Sequence, residues 1–178
     1  ITLQECYAIL SGKIRQEGKV AYLSFDDGWQ SNLNLIPIID KYQAPITIFV
    51  SIDPLLSGNF WWEYALADGI ELRNKMKLMS YKKFVSSLES LKKKYSLERS
   101  VLTEQELVKI ASHPLVSIQS HTMSHPILTN CDDEILSYEL NSSKAYLENL
   151  LHHKIEAFSY PNGNFSNREI EAVKKAGY

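Results

Sequence analysis

Two aspartates stand side by side at Asp26 and Asp27, followed by Gly28, at the end of an apolar run. Carboxylates that close repel one another and raise one pKa, so the pair calls for a compensating group. By itself an Asp-Asp-Gly tripeptide is more often a turn than a site. A cation between or beside the carboxylates removes the repulsion. The segment His121-Thr122-Met123-Ser124-His125 holds the nitrogen donors such a cation takes. Spacing of i and i+4 puts both imidazoles on one side of a helical turn or tight loop, compatible with ~2.0–2.1 Å bonds to a single zinc. A third polar cluster, Tyr160-Pro161-Asn162-Gly163, closes the set.

These clusters act together only if the fold gathers them. Four short β-branched or apolar runs, at 19–25, 46–52, 115–120 and 155–160, have strand length and alternate with helical patterns. Thr2-x-x-Glu5, Thr103-x-x-Glu106 and Ser166-x-x-Glu169 read as capping boxes that start helices. Asp132 or Asp133 is placed to cap a long helix whose apolar positions include Leu136, Leu140 and Leu147. Residues 77–95 read as an amphipathic helix with Phe84, Leu88 and Leu91 inward and the lysines solvated. Strand–helix alternation implies parallel strands and an α/β domain. One domain spans 1–178, with 53–103 as a helical excursion between the second and third strands. In such a sheet the carboxyl ends share one rim, where all three polar clusters fall. His113, His152 and His153 precede strands and so lie roughly 20 Å from that rim.

The chain has 178 residues, 44% hydrophobic and 22% charged, which excludes disorder as the main state. A net charge of −2 argues against a dedicated nucleic-acid binder, which needs a basic surface. No apolar run approaches the ~18 residues of a membrane span. Cys6 and Cys131 make no Cys-x-x-Cys pair. The first residue is Ile1, which implies an upstream segment and leaves targeting unread.

Ser24-Phe25-Asp26-Asp27-Gly28 is similar to the first motif of the NodB-homology polysaccharide deacetylases, carbohydrate esterase family 4. Ser120-His121-Thr122-Met123-Ser124-His125-Pro126 matches that family's second motif, and Phe158-Ser159-Tyr160-Pro161-Asn162-Gly163 resembles its third. The resemblance implies a distorted, incomplete (β/α) barrel. It implies that Asp27, His121 and His125 bind a divalent metal, usually zinc, with cobalt or nickel as substitutes. Asp26 would then be the catalytic base, kept ionised by nearby positive charge. Asn162 would offer its backbone N–H to an oxyanion. The substrate implied is an N-acetylated oligo- or polysaccharide, with an extracellular, periplasmic or cell-surface setting.

Three departures from that family stand out. Ser159 occupies the place of an arginine that orients the base, and Gln119 stands where a glycine is usual, so it is expected to crowd the second-motif loop. The sequence also stops at Gly177-Tyr178, before the family's fourth and fifth motifs, the latter supplying a histidine acid. A chain without that acid is expected to turn over ~10²–10⁴-fold more slowly.

Candidate substrate contacts are Trp29, Trp61 of the Phe60-Trp61-Trp62 run, Tyr160 and Pro161. Met123 reads as a gap-filler and Cys131 as a small buried residue. Two other function classes fit parts of the pattern. A non-catalytic carbohydrate-binding domain would tolerate Ser159 but has no need of Asp26. An iron oxygenase shares the two-His-one-carboxylate set, but not the second aspartate.

Overall fold

The computed structural model describes residues 1–178. Its centre is a three-stranded parallel sheet, ordered β1 (Leu23–Phe25), β2 (Ile46–Val50), β3 (Val116–Ser120). Every residue of β2 is buried, as a central parallel strand covered on both faces demands. Register sets Phe25 against Ile48 and Val50 against Ser120, so β1 and β3 flank β2 and end near the same level. That register gathers the polar clusters on one rim.

Helix α1 (Leu3–Leu10) precedes the sheet, and α2 (Ile36–Tyr42) joins β1 to β2. Between β2 and β3 lie α3 (Ile52–Ser57), α4 (Trp61–Asp68), α5 (Ile70–Met76), α6 (Tyr81–Lys94) and α7 (Glu104–Ala111). Helices α8 (Asp133–Leu151) and α9 (Asn167–Lys175) follow β3. Thr2–Glu5, Thr103–Glu106 and Ser166–Glu169 all form capping boxes, and Asp132 caps α8 through the Ile135 amide. Each box satisfies two otherwise orphaned donors at a helix start, so these boundaries follow from local sequence.

The main core joins Ile46, Ile48 and Val50 to Ile118, Leu107, Ile110 and Leu147, covering the sheet with α7 and α8. The helical excursion carries its own core of Trp61, Tyr64, Ala65, Met76, Phe84 and Leu91. Its return segment is tied to the sheet: Gln30 donates to the Ser100 carbonyl at 2.8 Å and Leu102 to that of Gly28 at 3.0 Å.

The fourth expected strand does not form. Residues 155–160 make a single parallel bridge, Ser120 with Phe158, before Pro161 takes the chain away. The Gln119 side chain does the work of the missing ladder. Its Oε1 accepts from the Glu156 and Ala157 amides at 2.9 and 2.8 Å, while Ser159 donates to the Ser120 carbonyl at 3.1 Å. Gln119 therefore holds this segment in place and does not crowd the second-motif loop. The sheet stays open, an incomplete barrel.

Candidate metal centre and active-site cleft

At the end of β1, Asp27 and Gly28 adopt left-handed φ angles of 79° and 80°. An aspartate tolerates that conformation better than most residues, and a glycine does so without penalty. At Gly28 a Cβ would sit 3.3 Å from both Val50 methyls, so close approach to β2 also calls for glycine. The turn aims both carboxylates into a cleft of about 320 Å³. Asp26, Asp27, His121, His125 and Asn162 line it together.

The second-motif loop is fastened from several sides. His121 donates its amide to the Val50 carbonyl at 2.9 Å, and Asp53 donates to the Met123 carbonyl at 2.7 Å. Ser51 Oγ donates to the His121 carbonyl at 2.6 Å. Thr122 and His125 are left-handed, at φ 74° and 55°, strain that persists only where surroundings over-determine it. Much of that determination comes from Glu139 on α8, fully buried. Its Oε2 accepts the Met123 and Ser124 amides, each at 2.9 Å, and its Oε1 accepts Ser124 Oγ at 2.6 Å.

Asp27 Oδ1 lies 3.3 Å from His125 Nε2 and 3.6 Å from His121 Nε2. One donor atom from each of the three residues lies within 4.8 Å of the other two. A tetrahedral ion with ~2.0–2.1 Å bonds has donor–donor edges of roughly 3.3–3.4 Å. The 3.3 Å separation meets that figure and the 3.6 Å separation exceeds it by a few tenths of an ångström, and one carboxylate with two imidazoles is a donor set for a borderline-soft divalent ion. These residues fit such an ion.

Supporting contacts orient the donors. The Ser159 carbonyl accepts from His121 Nδ1 at 2.8 Å, which leaves Nε2 as the lone-pair atom facing Asp27. Burial, then the neighbouring His125, pushes the His121 pKa down, so the ring is neutral and able to ligate. Trp29 Nε1 donates to Asp27 Oδ2 at 3.1 Å, leaving Oδ1 to face the imidazoles. Trp61 Nε1 donates to the His125 carbonyl at 3.0 Å, and the His125 ring stands edge-on to Trp62 at 4.6 Å. His125 Nδ1 is buried without a hydrogen-bond partner.

Asp26 is spare. It meets no donor but Ser159 Oγ, at 3.4 Å, a weak contact. Burial, and next the charge of Asp27, raise its pKa; Ser159 and His125 pull the other way without prevailing. The protein's own groups thus shift Asp26 toward the protonated form, so the nearby positive charge expected to favour its carboxylate is not supplied by side chains alone.

Of the four aromatic or proline candidates for substrate contact, the cleft is lined by Trp61 alone, and it is only 4% exposed. Trp29 is committed to Asp27. Tyr160 packs on Phe158 and Phe165 at ring distances of 5.1 and 4.7 Å, and Pro161 is buried beneath it. Asn162 is left-handed, at φ 58°, and its Oδ1 accepts from Lys77 Nζ at 2.8 Å. His113 pairs with Asp40 at 2.9 Å, while His152 and His153 line a different cleft. Cys131 is buried and its thiol pushed up to about 12, mainly by that burial, which makes it inert.

Of the adjacent tryptophans the sequence pointed to one, Trp61, and both Trp61 and Trp62 line the cleft; sequence reasoning missed Arg73 and Lys77, which also line it, and Glu139 behind the loop. Lys77 falls among the lysines read as solvated and Arg73 lies outside any motif, so no local signal marks either as a cleft residue. Glu139 carried a signal: it falls three residues after Leu136, on the inward face of α8.

The open parallel sheet, its helical cover and the carboxylate–imidazole cluster on the carboxyl rim define an α/β domain with a candidate metal centre. Solved structures of similar fold agree with this architecture. Streptococcus pyogenes deacetylase PplD, in complex with acetate, matches with a TM-score of 0.72 at 22% identity, over 100% of this chain and 62% of its own. IcaB from Ammonifex degensii matches at 0.67 and 18%, over 100% of this chain and 65% of its own. YxkH of Bacillus subtilis (strain 168), named provisionally as a polysaccharide deacetylase, is 24% identical over 179 residues. That alignment takes in 100% of this chain and 49% of YxkH, so the chain spans about half the length of the curated relative it matches. The family model for polysaccharide deacetylase matches residues 13–178, and the chain belongs to that family.

Proposed function

We propose that this chain is a metal-dependent hydrolase that removes N-acetyl groups from N-acetylhexosamine units of a cell-envelope or exported polysaccharide. The observation that carries this reading is the spacing of Asp27, His121 and His125, three donors at ion-binding distances with a fourth group, Asp26, left unligated beside them. A pure metal or sugar binder has no use for that free carboxylate.

In this reading Asp27, His121 and His125 hold the ion, zinc or another divalent transition metal such as cobalt or nickel. When bound, it supplies a Lewis acid that lowers the pKa of water and polarises the acetamide carbonyl. Its charge would also oppose the burial and Asp27 effects on Asp26, favouring the carboxylate. Asp26 then takes a proton from the water that attacks the carbonyl carbon. The C–N bond would break as the proton held by Asp26 passes to the departing nitrogen, giving acetate and the free amine. The Asn162 backbone N–H serves the carbonyl oxygen as its charge develops, and the Ser159 carbonyl keeps His121 in the ligating tautomer.

A second reading, a carbohydrate-binding domain of the same fold, draws on the length of the Ser159–Asp26 contact, which leaves the base loosely held. Acetate release from N-acetylated oligosaccharides separates the two. The hydrolase reading expects release that falls ~10²–10⁴-fold in Asp26→Asn while metal stoichiometry is kept. Release by Asp26→Asn equal to the parent's removes Asp26 as the base, and absence of release in the parent favours the binding domain.

A further inference from the structure

The helical excursion gives the cleft a cationic wall. Arg73 stands in the last turn of α5 and Lys77 caps its end, four residues on, so both point from one helix face. Both are half-buried, and both line the cleft with Asp26 and Asp27. Neither forms an ion pair with any carboxylate, the two aspartates included. The bonds they do make are to neutral oxygens. Lys77 Nζ donates to Asn162 Oδ1 at 2.8 Å, and Arg73 donates from Nη2 and Nε to Asn74 Oδ1 at 2.9 and 3.3 Å.

Hydrogen bonds to neutral amide oxygens leave both cations without a counter-charge on the cleft wall. Two cations balance two aspartates in the lining, so a divalent ion leaves it net positive. A neutral acetylated sugar offers hydroxyls and leaves both charges unpaired. A carboxylate or phosphate ester satisfies them, and a guanidinium fork beside an ammonium suits either group.

Resting on the deacetylase reading, we infer that Arg73 and Lys77 form an anion-recognising subsite, and that the acetylated sugar unit this cleft takes carries a negatively charged substituent close to its acetamido group. The asparagine–lysine bond also fixes Lys77 against the third-motif loop, so the charge is presented at a set place on the rim.

The test is a titration of the zinc-loaded chain, followed by tryptophan fluorescence from Trp61 and Trp62 in the cleft wall. The probes are N-acetylglucosamine, N-acetylglucosamine 1-phosphate and N-acetylmuramic acid. At least one anionic probe is expected to bind about tenfold or more tighter than the neutral one. Preference for the phosphate alone assigns a phosphate ester, and preference for the muramic acid alone a carboxylate. In the folded double variant Arg73→Gln/Lys77→Gln that preference shrinks to about twofold or less. Equal binding of all three probes by the parent overturns the inference. So does a preference that survives the double substitution, because the bound ion is then the selecting charge. Acetate release measured in parallel keeps the two readings apart. Charge preference without release sinks the deacetylase and spares the subsite; release without charge preference does the reverse.

Discussion

Glu139 governs the second-motif loop from behind, and its removal gives the sharpest test of how the site is built. Glu139→Ala takes away the acceptor of two backbone amides, those of Met123 and Ser124, and of the Ser124 hydroxyl. The side chain is fully buried, so no water replaces it without opening the core. Each orphaned amide costs ~1–3 kcal/mol, which puts the loss near 4 kcal/mol, or ~8–16 °C in melting temperature at this chain size. The loop holds Thr122 and His125 in left-handed backbone, so zinc affinity is expected to fall ~10–100-fold by chelator competition. Glu139→Gln separates shape from charge. Its carbonyl oxygen keeps the two amide bonds, and its NH₂ can donate to Ser124 Oγ and Tyr81 Oη, hydroxyls able to accept.

The pH dependence has a definite sign. Burial raises the Glu139 pKa above its ordinary 4.5, against the bonds from Ser124 and Met123. The folded chain thus keeps a proton in a window where the unfolded chain has lost it, and stability falls as pH rises through that window. The parent is therefore expected to lose ground to Glu139→Gln as pH rises above the ordinary glutamate pKa in denaturant titrations. An alanine variant that melts within ~2 °C of the parent and binds zinc within ~twofold would falsify this account of the loop.

Trp29→Phe keeps the aromatic packing but removes the indole N–H from Asp27 Oδ2; zinc affinity drops about tenfold, and an unchanged affinity means the bond does not orient the ligand. Gly28→Ala places a Cβ 3.3 Å from both Val50 methyls at a left-handed φ, with an expected loss of ~1–3 kcal/mol in urea unfolding; wild-type stability contradicts the close-approach argument. Gln119→Leu strands the Glu156 and Ala157 amides and loosens the segment whose Ser159 carbonyl holds His121. It is expected to cost ~2–4 kcal/mol and to speed amide exchange across residues 156–159, and exchange as slow as the parent's refutes that role.

What the sequence revealed follows from the range of the forces involved. The capping boxes, a strand within 46–52 (observed as Ile46–Val50) and the meeting of Asp26, Asp27, His121 and His125 rest on local patterns plus one topological rule, and the structure contains them. The failures all need contacts across the chain. Residues 155–160 have strand composition, but a strand needs a backbone partner over several residues, and Gln119 meets those amides with a side chain. Trp29 carries an apolar body and one donor, and sequence cannot say whether that donor faces a sugar or the carboxylate two residues before it. Periodicity marks Met76 as the position α5 buries, yet the polar residues flanking it read the same whether they meet water or another wall of the same cleft. Arg73 and Lys77 belong to the second case. A helix far along the chain thereby adds charge to a site whose reactive groups come from strand ends, and the excursion becomes the part of the fold free to set what the site accepts while the rim keeps its chemistry.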